Sequence, residues 1–106
     1  MTITQREKDG YTVLYLEGRL DTSTSPMLEK HVDDKIAGYR ELIVDMQRLE
    51  YISSAGLRVL LSMQKTMDRQ GKMEIRHVND VVMEVFEITG FVDILTIISR
   101  RDCEGA

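Results

Sequence analysis

The apolar residues of this chain switch between two spacings, and that switching leaves few folds open. Over residues 11–18 the period is two, with Val13 and Tyr15 on one side and Leu14 and Leu16 on the other. Both sides carry apolar groups, which predicts a strand buried on both faces. Leu28, Val32 and Ile36 then fall four apart, one stripe of an amphipathic helix. The run Glu41-Leu42-Ile43-Val44-Asp45 suits a short strand covered on both faces. Helical spacing returns over 54–70, where Val59, Met63 and Met67 make one row and Leu57, Leu60 and Leu61 another. Residues 72–78 alternate again, with Met73, Ile75 and His77 on one side. Val82, Val85, Phe86 and Thr89 share a face of a third helix over 81–89, and 94–98 is a last β-rich segment. With a short opening strand at 2–7, the order is ββαβαβαβ. Strands alternating with helices imply crossovers onto a mainly parallel sheet. The prediction is one α/β domain over 1–106. It has a mixed sheet of four or five strands and three or four helices.

The punctuation supports these boundaries. Asp9-Gly10 is a hairpin turn, because both residues tolerate positive φ. Gly18 is expected to end the second strand. Asp21-Thr22-Ser23-Thr24-Ser25 is a run of capping residues before Pro26, whose fixed φ suits a first helical turn. Gly38, Gly71 and Gly90 are natural helix stops. Asn79 or Asp80 caps the third helix. Residues 46–53 read as an eight-residue connection, longer than is usual between a strand and a helix. The tail from Ser99 reads as a short helix or a frayed end.

Composition excludes several classes. The net charge is -4 and the 14 Lys and Arg are scattered, which argues against a nucleic-acid partner. No apolar run approaches the ~20 residues of a membrane span, so no direct membrane insertion is expected. The first residues contain no signal-peptide core. The single cysteine, Cys103, reads as incidental. These features predict a cytoplasmic protein.

Little catalytic chemistry is legible. His31 and His77 have no metal-ligand neighbours in sequence, and each reads as structural. Asp33-Asp34 reads as a solvated face, because adjacent helical residues diverge. Seven methionines suggest an adaptable surface, but Met63 and Met67 lie on a helical stripe and read as core. No metal or cofactor is called for, and no enzyme activity. The segment Tyr51-Ile52-Ser53-Ser54-Ala55-Gly56-Leu57 stands apart. Capping explains one serine before a helix, but not Ser-Ser followed by Ala-Gly. Small residues at 53–56 leave the helix start open to a close visitor. A nucleophilic role would need a base and an oxyanion hole, and the Gly-x-Ser-x-Gly elbow is missing.

At these residues the chain resembles the STAS family of anti-sigma factor antagonists. The shared pattern is an apolar strand, here Leu42-Ile43-Val44-Asp45, a short loop, and a small-residue segment opening a helix, here Ser53-Ser54-Ala55-Gly56-Leu57. A second match is Leu16-Glu17-Gly18-Arg19-Leu20-Asp21 with the hydroxyl-rich segment after it, and a third is Glu87-Ile88-Thr89-Gly90-Phe91. The resemblance covers residues 1–98.

The resemblance implies a regulatory binding protein. The serine two places before the glycine, Ser54, would be the phosphate acceptor. The family often has Asp just before it, whereas this chain has Ser53, so Ser53 is the alternative acceptor. The implied partners are an anti-sigma factor that is also a serine kinase, and a serine phosphatase. The unphosphorylated form would bind the anti-sigma factor and release a sigma factor. The implied partner surface comprises Asp21, Thr22, Ser23, Thr24, Ser53, Ser54, Ala55, Gly56 and Arg58. The alternative role is a STAS scaffold or sensor in a stressosome-like or transporter-associated complex. Many relatives end in a full helix, for which Ser99–Ala106 leaves little chain.

Overall fold

Residues 1–98 are described by a computed structural model. The expected tail and Cys103 lie outside the described residues. Strands β1 (Thr2–Lys8) and β2 (Tyr11–Leu20) form an antiparallel hairpin. Helix α1 (Ser25–Asp33) and a 3₁₀ turn (Ile36–Gly38) lead to β3 (Glu41–Ile52). Then come α2 (Ser54–Gln70), β4 (Lys72–Arg76), α3 (Asp80–Thr89) and a second 3₁₀ turn (Phe91–Asp93). The sheet order is β1-β2-β3-β4, with β2, β3 and β4 mutually parallel. The mixed α/β architecture agrees with the alternation of apolar periods.

The core occupies one face of this sheet. Alternate residues Leu14 and Leu16, Leu42, Val44 and Met46, and Met73 and Ile75 point into it. All three helices contribute: Leu28 and Val32 from α1, Leu57, Val59, Leu60, Met63 and Met67 from α2, and Val82 and Phe86 from α3. Met63 and Met67 are therefore core, as their spacing predicts, while Leu61 is only half-buried. The opposite sheet face is partly exposed, with Val13 buried and Ile43, Asp45, Glu74 and Arg76 half-buried. Thr4, Tyr15, Asp45 and Arg76 form one register row across it, and Tyr15 is 37% exposed. The expectation that β2 is covered on both faces holds in part: Val13 is buried on this face but Tyr15 is not, because every helix contributes to the core on the other side.

Several boundaries differ from the sequence reading. Gly18 does not end β2. Its positive φ of 105° accommodates a register irregularity, and the strand continues to Leu20. At the hairpin only Gly10 uses positive φ. Helix α1 stops at Asp33, so Ile36 and Gly38 lie in the 3₁₀ turn. The expected loop 46–53 is mostly strand, since β3 runs on to Ile52 with Met46, Leu49 and Ile52 buried. A register shift between Tyr15 and Glu17 of β2 and Asp45 and Arg48 of β3 explains why its period was hidden. His77 leaves the alternation of β4 by adopting φ 60°, and its Nδ1 lies 2.7 Å from an Asp45 carboxylate oxygen. The last β-rich segment is reduced, among the described residues, to a single bridge between Ile97 and Ile75. It is held by Ile75 N–H to Thr96 O (2.8 Å) and Ile98 N–H to Ile75 O (2.9 Å). The buried amide of Gln64 secures the same segment by accepting from Thr96 N–H. Asn79 caps α3 by accepting from Val82 N–H at 2.8 Å, and Gly90 ends it at φ 80°.

Candidate functional site

The parallel pairing of β2 with β3 brings the two hydroxyl-rich segments together. Leu20 and Ile52 are register partners at the strand ends. Ser53 N–H then donates to Leu20 O at 2.9 Å. The loop from Asp21 and the start of α2 therefore leave the sheet side by side.

The Asp21 loop is built around one carboxylate. Its Oδ1 accepts from Ser23 N–H (3.0 Å), Ser23 Oγ (2.8 Å) and Thr24 N–H (3.1 Å). The Ser23 hydroxyl first, then the Thr24 N–H, hold the carboxyl below its ordinary pKa. Asp21 is thus an anion at neutral pH. Thr24 Oγ1 accepts from Asp21 N–H at 2.8 Å and donates to Arg19 O at 2.7 Å. Ser25 Oγ donates to Asp21 O at 2.6 Å. The hydroxyl run that looks like a set of helix caps thus folds the loop back on itself; Thr24 occupies the N-cap of α1 without a side-chain cap bond. Arg19 stands 3.9 Å from Asp21 and its guanidinium lies 4.5 Å from the centre of the Tyr51 ring. Thr22 and Ser23 are exposed.

The two serines differ. Ser53 is the N-cap of α2 but makes no side-chain cap bond, and its Oγ is buried without a hydrogen-bond partner. Ser54 is the first residue of α2 and is exposed. Arg58, one turn on, is also exposed, and Ala55 is half-buried. Gly56 is buried. A Cβ there would stand 2.7 Å from Leu20 Cγ and 2.9 Å from Ile52 Cγ1. Gly56 therefore does not open the helix start to a visitor. It lets α2 press against the strand ends, which turns Ser54 outward. Gly56→Ala is expected to lower stability by about 1–2 kcal/mol, because overpacking outweighs the gain in helix propensity. Urea unfolding measures this, and a variant as stable as the parent removes the packing role.

Two residues flank these segments: Met27 follows the hydroxyl run, and Tyr51 opens the segment that the sequence sets apart. Met27, in the first turn of α1, is 48% exposed. Tyr51 supports Arg19 through its ring. Met27 lies off the Leu28–Val32 stripe, which was the available signal. Tyr51 lies in the segment set apart by sequence, but its contact with Arg19 was not legible, since Arg19 comes from another strand. Among the described residues no three His, Cys, Asp or Glu converge as metal ligands, and no helix is long and apolar enough to cross a membrane.

Known proteins share this arrangement of chain. The model of the STAS domain matches residues 2–102. BtrV of Bordetella bronchiseptica, named as a candidate anti-sigma factor antagonist, is 34% identical over 108 aligned positions, covering 100% of this chain and 93% of that protein. A crystal structure of a candidate anti-sigma factor antagonist from Thermotoga maritima superposes with a TM-score of 0.85 at 20% identity, covering 97% of this chain and 92% of the other. The Bacillus cell fate determinant SpoIIAA in its phosphorylated form superposes with a TM-score of 0.71 at 15% identity, covering 98% and 97%. The family match, the strand order and the paired loop ends agree, and the chain belongs to the STAS domain family.

Proposed function

We propose that this protein is an anti-sigma factor antagonist, switched by phosphorylation of Ser54. Unphosphorylated, it binds an anti-sigma factor that also acts as a serine kinase, and so releases a sigma factor. A serine phosphatase reverses the modification. The relatives' names support the role of antagonist. The observation that carries the switch is the contrast between the two hydroxyls: Ser54 is exposed, whereas Ser53 Oγ is sealed. An acceptor must reach the γ-phosphorus of ATP, which favours Ser54 over Ser53. In the transfer, the bond from Ser54 Oγ to phosphorus forms and the bond from phosphorus to the β-bridging oxygen breaks. ADP leaves, and the hydroxyl proton passes to a base on the kinase.

Local charge then does the switching. Phosphate adds about -1.5 to -2 charges, and the first turn of a helix tolerates an anion. The domain stays folded while negative charge is added beside ionised Asp21. The contact surface comprises the Asp21–Thr24 loop, Ser54, Ala55 and Arg58, with Met27 as its apolar element. Ser53 and Gly56 act from below by shaping it.

The test is incubation with ATP and an anti-sigma kinase of the same organism, followed by intact mass. The expected result is a gain of one phosphate that persists in Ser53→Ala and is lost in Ser54→Ala. Ser54→Asp is expected to bind the kinase at least about tenfold more weakly than Ser54→Ala, a difference of about 1.4 kcal/mol. Equal affinities, or a phosphate mapped to Ser53, refute the switch at Ser54. A stable assembly with no phosphate transfer supports the scaffold role instead.

A further inference from the structure

Helix α2 carries a cation positioned for the modified serine. Ser54 and Arg58 lie four residues apart, both in α2 and both exposed. Side chains at this spacing are neighbours, with about 5–6 Å between their Cβ atoms. The anion would stand N-terminal to the cation, the more favourable order. Among the described residues Arg58 has no ion pair and no side-chain hydrogen bond. Arg19, at the end of the neighbouring strand, already faces Asp21 and the Tyr51 ring. Lys65 and Arg69 lie more than two helical turns further along α2.

We propose that Arg58 is the internal counter-ion of phosphorylated Ser54. The planar guanidinium suits two parallel hydrogen bonds to phosphate oxygens. The assignment rests on Ser54 being the modified residue, and it deepens that reading. Phosphorylation then changes the surface twice: it adds an anion and withdraws the free cation one turn below. A partner that uses Arg58 in the unmodified state loses it in the same step.

The pairing is testable without a kinase, by encoding phosphoserine at position 54 in the full chain. Phosphorus NMR then reads the second ionisation of the phosphate as pH is varied. In the parent its pKa is expected about 0.3 units or more below that in Arg58→Gln. Arg58→Lys keeps part of the difference, and added salt shrinks it. Thermal melting of unmodified Arg58→Gln should match the parent, because Arg58 is exposed and Gln keeps a similar helix propensity. An identical phosphate pKa in parent and Arg58→Gln overturns the pairing, as does an Arg58→Lys value equal to that of Arg58→Gln. A kinase that fails to modify Ser54 would refute the switch, but leaves this measurement intact.

Discussion

Gly71→Ala is expected to destabilise the protein by about 3 kcal/mol or more, at the top of the range for overpacking. Gly71 follows the last turn of α2, where a Cβ would stand 1.8 Å from Arg40 O, 2.8 Å from Arg40 C and 3.2 Å from Arg40 Cα. All three are backbone atoms, so no side chain can swing aside. The same Arg40 carbonyl accepts from Lys72 N–H at 2.9 Å, directly before the β3–β4 pairing begins at Glu41 and Lys72. Relieving the clash therefore pulls apart the start of the ladder. The cost follows from space alone, since φ at Gly71 is 178°, an extended value open to any residue. A domain of this size has about 5–15 kcal/mol in all, so the melting temperature should fall by roughly 12 °C or more. Gly38→Ala is the control, because a Cβ there meets nothing within 4 Å. Gly71→Ala within 1 kcal/mol of the parent refutes the close approach. Below its melting temperature the variant should still accept phosphate, since Gly71 lies at the other end of α2 from Ser54.

Phe86→Ala is expected to cost about 3–5 kcal/mol, the range for truncating a buried aromatic. Phe86 is 0% exposed, and Val82 is its only fully buried companion on α3. The polar anchors of α3 are the Asn79 cap and the bond from Asn79 Nδ2 to Leu49 O. Loss of the ring leaves Val82, the half-buried Met83 and Val85 and these polar ties to hold ten residues of helix. Amide exchange should show α3 losing protection more than α1 or α2. A loss below about 1.5 kcal/mol, or uniform loss of protection, would show that Phe86 does not anchor the helix.

Much of the site was readable because its two segments carry unusual residues at element ends. Asp21 to Ser25 and Ser53 to Gly56 announce a capped helix start and a hydroxyl pair. The reading stopped where a hydroxyl's surroundings decide its role. Capping accounts for one of the two serines, yet Ser53, at the N-cap, makes no cap bond and its Oγ is sealed. Gly56 looks like an opening for a ligand, yet it faces Leu20 and Ile52. The Tyr51 ring meets Arg19 only because β2 and β3 run side by side. Residues 46–53 read as loop because Gln47, Arg48 and Glu50 interrupt the period of two. A register shift against β2 restores the pairing.

Local chemistry alone determined the order of elements, the hairpin turn at Asp9-Gly10, the helical rows of α2 and α3 and the kinship with STAS domains. Apolar spacing and turn residues act over a few positions, so one strand of text carries them. The tertiary structure alone decided that one sheet face stays partly exposed, that Gly71 must lack a Cβ, and which of two adjacent serines faces solvent. Each of these depends on atoms supplied by distant segments, such as Arg40 against Gly71 or Leu20 beside Ser53. Burial and close approach belong to the packed chain, where neighbours in space need not be neighbours in sequence.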